Sequence, residues 1–142
     1  MTGHDHREDP RGPVARYLAE RGVSPAVQGM GLRGIVAKWD AISSRAERYD
    51  LTLDDWLNDL DLRDIIAGAI VVAPEQERQV VQSILARADD RFRGATMESP
   101  RPLVGGANRA AQWWYLRYPA QPGASMRDDL MVAGFLTRPD LA

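Results

Sequence analysis

The chain has 142 residues, 44% hydrophobic and 27% charged, with a net charge of −2 and no cysteine. That length and balance suit one globular core, and the missing cysteine excludes disulfides, thiolate metal sites and thiol nucleophiles. A net charge this small also lacks the strong basic field of a nucleic-acid binder.

Residues 1–13 read as a polar leader interrupted by Pro10 and Pro13. It has no apolar stretch of the kind a secretory signal needs. The longest strongly apolar run, Ile65 to Ala73, is about half of what a bilayer requires. A cytoplasmic bacterial protein with no membrane partner is therefore the expectation. His4 would become the third residue if Met1 were removed, an arrangement that chelates Cu(II) or Ni(II). A leader that carries histidines without a metal is the simpler reading, and no cofactor is expected.

Val14 to Gly22 predicts a short helix, with Pro13 at its first turn and Gly22 as its stop. Leu32, Ile35, Val36, Trp39, Ile42, Ala46 and Tyr49 recur at helical spacing and predict a helix over 32–48 with that stripe buried. Thr52 then stands as an N-cap with Asp55 three residues on. Leu53, Trp56, Leu57 and Leu60 form a stripe, but Arg63 and Asp64 occupy the positions where it should continue. The pattern restarts at Leu62, Ile65, Ile66, Ala69 and Ile70, so the spacing predicts two helices, 53–60 and 62–73, with Asp61 capping the second.

Pro74, Glu75 and Glu77 open a further helix over 74–93, carried by Val80, Val81, Ile84, Leu85, Ala88 and Phe92. Pro100, Pro102 and Gly105–Gly106 make a loop. Asn108 through Arg117 reads as a helix capped by Asn108, with a short strand as the rival because "WWYLRY", Trp113 to Tyr118, is rich in aromatics. Ser125 and Asp128 resemble a capping box before a last helix, Met126 to Val132. These elements predict an all-α fold: a compact irregular bundle of five to six helices with an aromatic-rich C-terminal segment. The expected layout is a leader over 1–13, a single helical domain over 14–136 and a tail over 137–142.

Charge is uneven along this layout. From Glu47 to Asp64 seven acids face Arg48 and Arg63, a balance of −5. From Arg87 to Arg117 six arginines face three acids, a balance of +3. Helix N-termini account for some of the acid, but Asp50, Asp54 and Asp59 exceed that need. Asp54, Asn58 and Asp61 fall at i, i+4 and i+7, a spacing that would suit Mg²⁺ or Mn²⁺ on a continuous helix. The predicted break rotates Asp61 away, so no metal site is expected. Instead Asp50, Asp54, Asp55 and Asp59 form a candidate partner-binding face, since a charged field speeds encounter and rejects wrong partners.

Trp113, Trp114, Tyr115 and Tyr118 are a candidate anchor or pocket, because neighbouring large rings cannot all point inward. Arg109 and Arg117 beside them are candidate anion contacts, and "GGANR" would form at most a weak anion nest. No G-x-S-x-G setting surrounds any serine, both histidines lie in the leader, and catalytic residues stay unassigned. Two functions follow. One is a non-catalytic protein-binding module, a small regulator or immunity-type inhibitor, whose acidic helical face masks a basic protein partner. The other is a small-molecule or cofactor-binding enzyme with an aromatic and arginine-lined pocket.

Overall fold

Ser24 begins the main scaffold of the chain, accepting a hydrogen bond on its hydroxyl from the Val27 N–H at 3.3 Å. The computed structural model describes residues 10–137. Within them, α1 is Pro13–Glu20, α2 Pro25–Ser44, α3 Leu53–Val72, α4 Glu75–Gly94 and α5 Ala124–Val132. Two three-residue strands, β1 (Thr96–Glu98) and β2 (Arg117–Pro119), and a 3₁₀ turn over Trp113–Leu116 complete the order. Over the described residues the protein is a compact, mostly helical bundle of five helices with an aromatic cluster near its C-terminal region.

Most positions of the predicted apolar stripes form the core; Val80 does not, and is 50% exposed. Leu32, Ile35, Val36, Trp39 and Ile42 on α2 are buried, as are Trp56, Leu60, Ile66 and Ala69 on α3 and Val81, Leu85, Ala88 and Phe92 on α4. Phe92 is central: its ring lies 4.7 Å from Trp39 and 5.5 Å from Trp56, nearly parallel to the latter at 16°. Offset aromatic pairs of this kind add to the gain from area burial alone. α2 begins seven residues before the predicted Leu32, with a kink at Gly31, whose φ of 67° suits a residue without a side chain. It also stops at Ser44, so Ala46 and Tyr49 are buried from the following turn rather than from the helix.

α3 corrects the sequence reading. It is one continuous helix, and no second helix begins at 62. The Thr52–Asp55 capping box forms as expected, whereas Asp61 caps nothing and instead accepts a hydrogen bond from the Tyr115 hydroxyl at 2.5 Å. The apparent slip in the stripe arises because Arg63 occupies an inward position and is itself buried. Its partner is Asp89 on α4, also buried.

The segment after α4 departs from the predicted helix over 108–117. Asn108 does act as a local cap, its side-chain oxygen accepting from the Ala110 and Ala111 N–H groups at 2.9 Å each. The turn does not propagate, because the chain is pulled into an antiparallel hairpin that pairs Thr96 with Pro119, Met97 with Tyr118 and Glu98 with Arg117. Backbone bonds from Ser99 to Leu116 and from Ala120 to Ala95 extend that ladder at both ends. The hairpin is an addition to the all-α expectation, and its strands are too short to alter the fold class.

α5 starts at Ala124 without a side-chain cap, so the Ser125–Asp128 box is absent. Its end is a Schellman motif: Phe135 N–H donates to Leu130 C=O at 2.8 Å and Gly134 N–H to Met131 C=O at 3.1 Å, with Gly134 at φ 83°. Arg101 donates to the Ala133 and Gly134 carbonyls at 2.7 and 3.4 Å, which completes the cap. At the other end of the contact, Asp129 accepts the Leu53 N–H at 3.0 Å and ties α5 to the start of α3.

Candidate functional site

The acidic stretch is partly absorbed by the fold. Asp55 closes the capping box of α3. Asp59 accepts the Tyr49 hydroxyl at 2.7 Å, and burial pushes its carboxyl above the usual carboxylate range while that hydrogen bond acts in the opposite direction. Asp61 takes the Tyr115 hydroxyl, and Asp64 takes the Gln112 amide at 2.8 Å and Arg21 at 3.5 Å. Asp50 and Asp54 are exposed. Thus Asp50, Asp54, Asp55 and Asp59 lie around the turn into α3 and its first half, but only the first two are exposed. Among the described residues no group of three or more His, Cys, Asp and Glu is placed to hold a metal ion. The histidines of the leader fall outside the described residues.

The aromatic segment divides in the same manner. Trp114 and Tyr115 are buried, and Trp113 is half-buried. The Arg63 guanidinium lies 4.6 Å from the centre of the Trp114 ring, and Arg93 lies 3.8 Å from that of Trp113. This is cation–π packing at the end of a core, and Trp114 Nε1 is buried there with no hydrogen-bond partner among the described residues. Burial, followed by the bond to Asp61, pushes the Tyr115 phenol well above its ordinary value. Arg109 donates to the Pro100 carbonyl at 3.3 Å. Arg117 donates to Thr96 Oγ1 at 2.6 Å and to the Thr96 and Arg93 carbonyls at 3.1 and 3.2 Å. Both guanidinium groups therefore secure loop and hairpin backbone. Burial also pulls the Arg117 pKa down; Glu98 counters this and Arg93 adds to it.

The structure does not gather the four aromatic residues into one pocket. Tyr118 alone leaves the cluster, since it follows Arg117 on β2 and projects to the other side of the hairpin, next to its cross-strand partner Met97. Together they form one wall of an open groove of about 530 Å³, closed on the other side by Arg127 and Met131 of α5 and by Leu136. Arg127 Nη2 is tethered to the Pro122 carbonyl at 3.1 Å. Sequence reading missed Met97, Arg127, Met131 and Leu136. A signal existed in the i, i+4 spacing of Arg127 and Met131 on one face of α5, but Met97 reaches them only through the hairpin.

A second cavity, about 380 Å³, lies in the turn between α2 and α3 and is lined by Arg45, Glu47, Arg48, Tyr49 and Asp50, among others. Its two cations and two anions oppose selection for either sign of ligand.

The other feature missed from sequence is the charge inside the core. Arg63 Nε and Nη2 each donate to one oxygen of Asp89 at 2.9 Å, a bidentate pair. Trp39 Nε1 donates to the same Asp89 Oδ1 at 2.9 Å. A signal was present here too: Asp89 interrupts the buried stripe of α4 as Arg63 interrupts that of α3, with opposite sign. Comparison with protein-family models, curated proteins and solved structures gives no match to this chain.

Proposed function

We propose that the protein is a small-molecule-binding module whose site is the groove between the β1–β2 hairpin and α5. The observation that carries this reading is the groove itself, which places exposed Met97 and half-buried Tyr118, Met131 and Leu136 around about 530 Å³. That volume lies within the range that encloses ordinary ligands, and apolar walls with a few fixed polar groups are the usual composition of such sites. Methionine suits the walls of such a site because its unbranched thioether adapts to different shapes. The buried Trp114, Tyr115 and Arg63 serve as its foundation and hold the hairpin against α3.

The test uses the neutral apolar probe N-phenyl-1-naphthylamine. Its fluorescence should rise and shift to the blue on mixing with the protein, and Met97→Glu should abolish that response while leaving the helical circular-dichroism signal intact. No response, or one indifferent to Met97→Glu, would remove the groove as a ligand site.

A second reading is favoured by one specific observation. Asp50 and Asp54 are exposed, and of the acids from Glu47 to Asp64 only Asp64 forms an ion pair with an arginine among the described residues. In this reading the protein is a small regulator or inhibitor that presents that face to a basic protein partner, with charge steering the encounter. The association rate of a partner retained from native lysate would fall as salt rises, and fall further in the double variant Asp50→Lys, Asp54→Lys. A rate unmoved by both changes disposes of it.

A further inference from the structure

We infer that the ligand of the hairpin–α5 groove is a single-chain amphiphile with a carboxylate head, the head on Arg127 and the chain along Met97, Met131 and Leu136. This rests on the groove being a ligand site. Arg127 is the only charged side chain among the described residues that line it, and no Asp or Glu shares the lining. Among the described residues Arg127 forms no ion pair; its one hydrogen bond runs from Nη2 to the Pro122 carbonyl. A guanidinium carries five N–H donors, so a carbonyl that takes one tethers the group and leaves the others without a partner among the described residues. A carboxylate matches that fork in charge and in geometry. The rest of the wall is of another kind. Met97 is 52% exposed. With Met131, Leu136 and Tyr118 beside it, an aliphatic chain would cover surface that water now contacts. A cationic head would be repelled by Arg127, and a neutral head would leave the guanidinium without its best partner.

Competition against N-phenyl-1-naphthylamine tests the head group with decanoate, decan-1-ol and decyltrimethylammonium. Decanoate is expected to displace the probe at concentrations roughly tenfold below those of the alcohol, the size of effect a charged hydrogen bond supplies. Decyltrimethylammonium should be the weakest of the three. Arg127→Gln should remove the advantage of decanoate and leave decan-1-ol unchanged, while Arg127→Lys should retain part of that advantage. Equal displacement by acid and alcohol, or equal loss of both in Arg127→Gln, would overturn the carboxylate assignment with the groove still standing. Failure of the groove itself shows earlier, as absence of a probe signal before any competitor is added, and overturns both.

Discussion

Asp59 and Arg63 stand four residues apart on α3, and their surroundings answer the two charges with different chemistry. Arg63 lies against Asp89, Trp113 and Trp114, and it receives a full counter-charge in a two-point grip. Asp59 is only half-buried and receives a neutral phenol from Tyr49. The difference follows from solvent access. A charge withdrawn from water must be matched by an opposite charge in good geometry, whereas a carboxylate at the margin keeps part of its hydration and is held by a hydroxyl that offsets only part of the loss. Each of the two places can be broken separately.

The largest effect belongs to the inner pair. Asp89→Ala strands the Arg63 guanidinium and the Trp39 indole N–H, and should lower stability by about 3–5 kcal/mol in urea titration. The joint replacement Arg63→Met, Asp89→Leu should cost clearly less than that single change, because no charge is then left unpaired. Equal losses would show that the pair is not coupled.

A smaller loss is expected where α1 meets α3. A methyl group added at Gly68 would come within 1.8 Å of the Tyr17 hydroxyl, which also accepts from Arg21 at 2.8 Å. Gly68→Ala should therefore cost about 1–3 kcal/mol through overpacking. Adding Tyr17→Ala should recover part of the deficit, and strict additivity of the two changes would contradict the close approach.

At the margin the expected effects depend on pH. Burial, then the Asp59 contact, raises the Tyr49 phenol above its ordinary value. A group raised in the folded state contributes stability that is present below its unfolded pKa of about 10 and lost as pH climbs beyond it. Urea midpoints between about pH 9 and 11 should therefore fall less steeply in Tyr49→Phe than in the parent protein. Parallel curves would remove Tyr49 from the alkaline transition.

The smallest effect has the opposite sign. The Asp59 carboxyl is also raised, so its ionisation opposes folding at neutral pH, and the penalty disappears as pH falls below the ordinary carboxylate range. Asp59→Asn keeps an acceptor for Tyr49 and should raise the urea midpoint at neutral pH, with the gain fading in acid. A midpoint lowered by this substitution would mean that the ionised carboxylate holds the turn, and the contrast with Arg63 would fail.

The sites were legible in proportion to how local their causes were. The Thr52–Asp55 capping box needs only residues three apart, and it was readable as it stands. Arg63 at a stripe position was visible too, yet it read as a helix break because its partner lies 26 residues away on another helix. Tyr115 and Tyr118 are three residues apart, but the turn into β2 sends one to Asp61 on α3 and the other to the groove. Asp50 and Asp54 were legible as surplus acid, and they remain in solvent.

By itself the sequence determined the helical class, the apolar stripes and the starts of α1, α3 and α4, since periodicity and capping act over a few residues. Tertiary structure decided whether α3 is one helix or two, which of the aromatic rings are buried, and that Met97, Tyr118, Arg127 and Met131 surround a single groove. Those outcomes depend on partners remote in the chain. A buried charge or an unpaired strand is stable only when the far segment arrives, and no local pattern records its arrival.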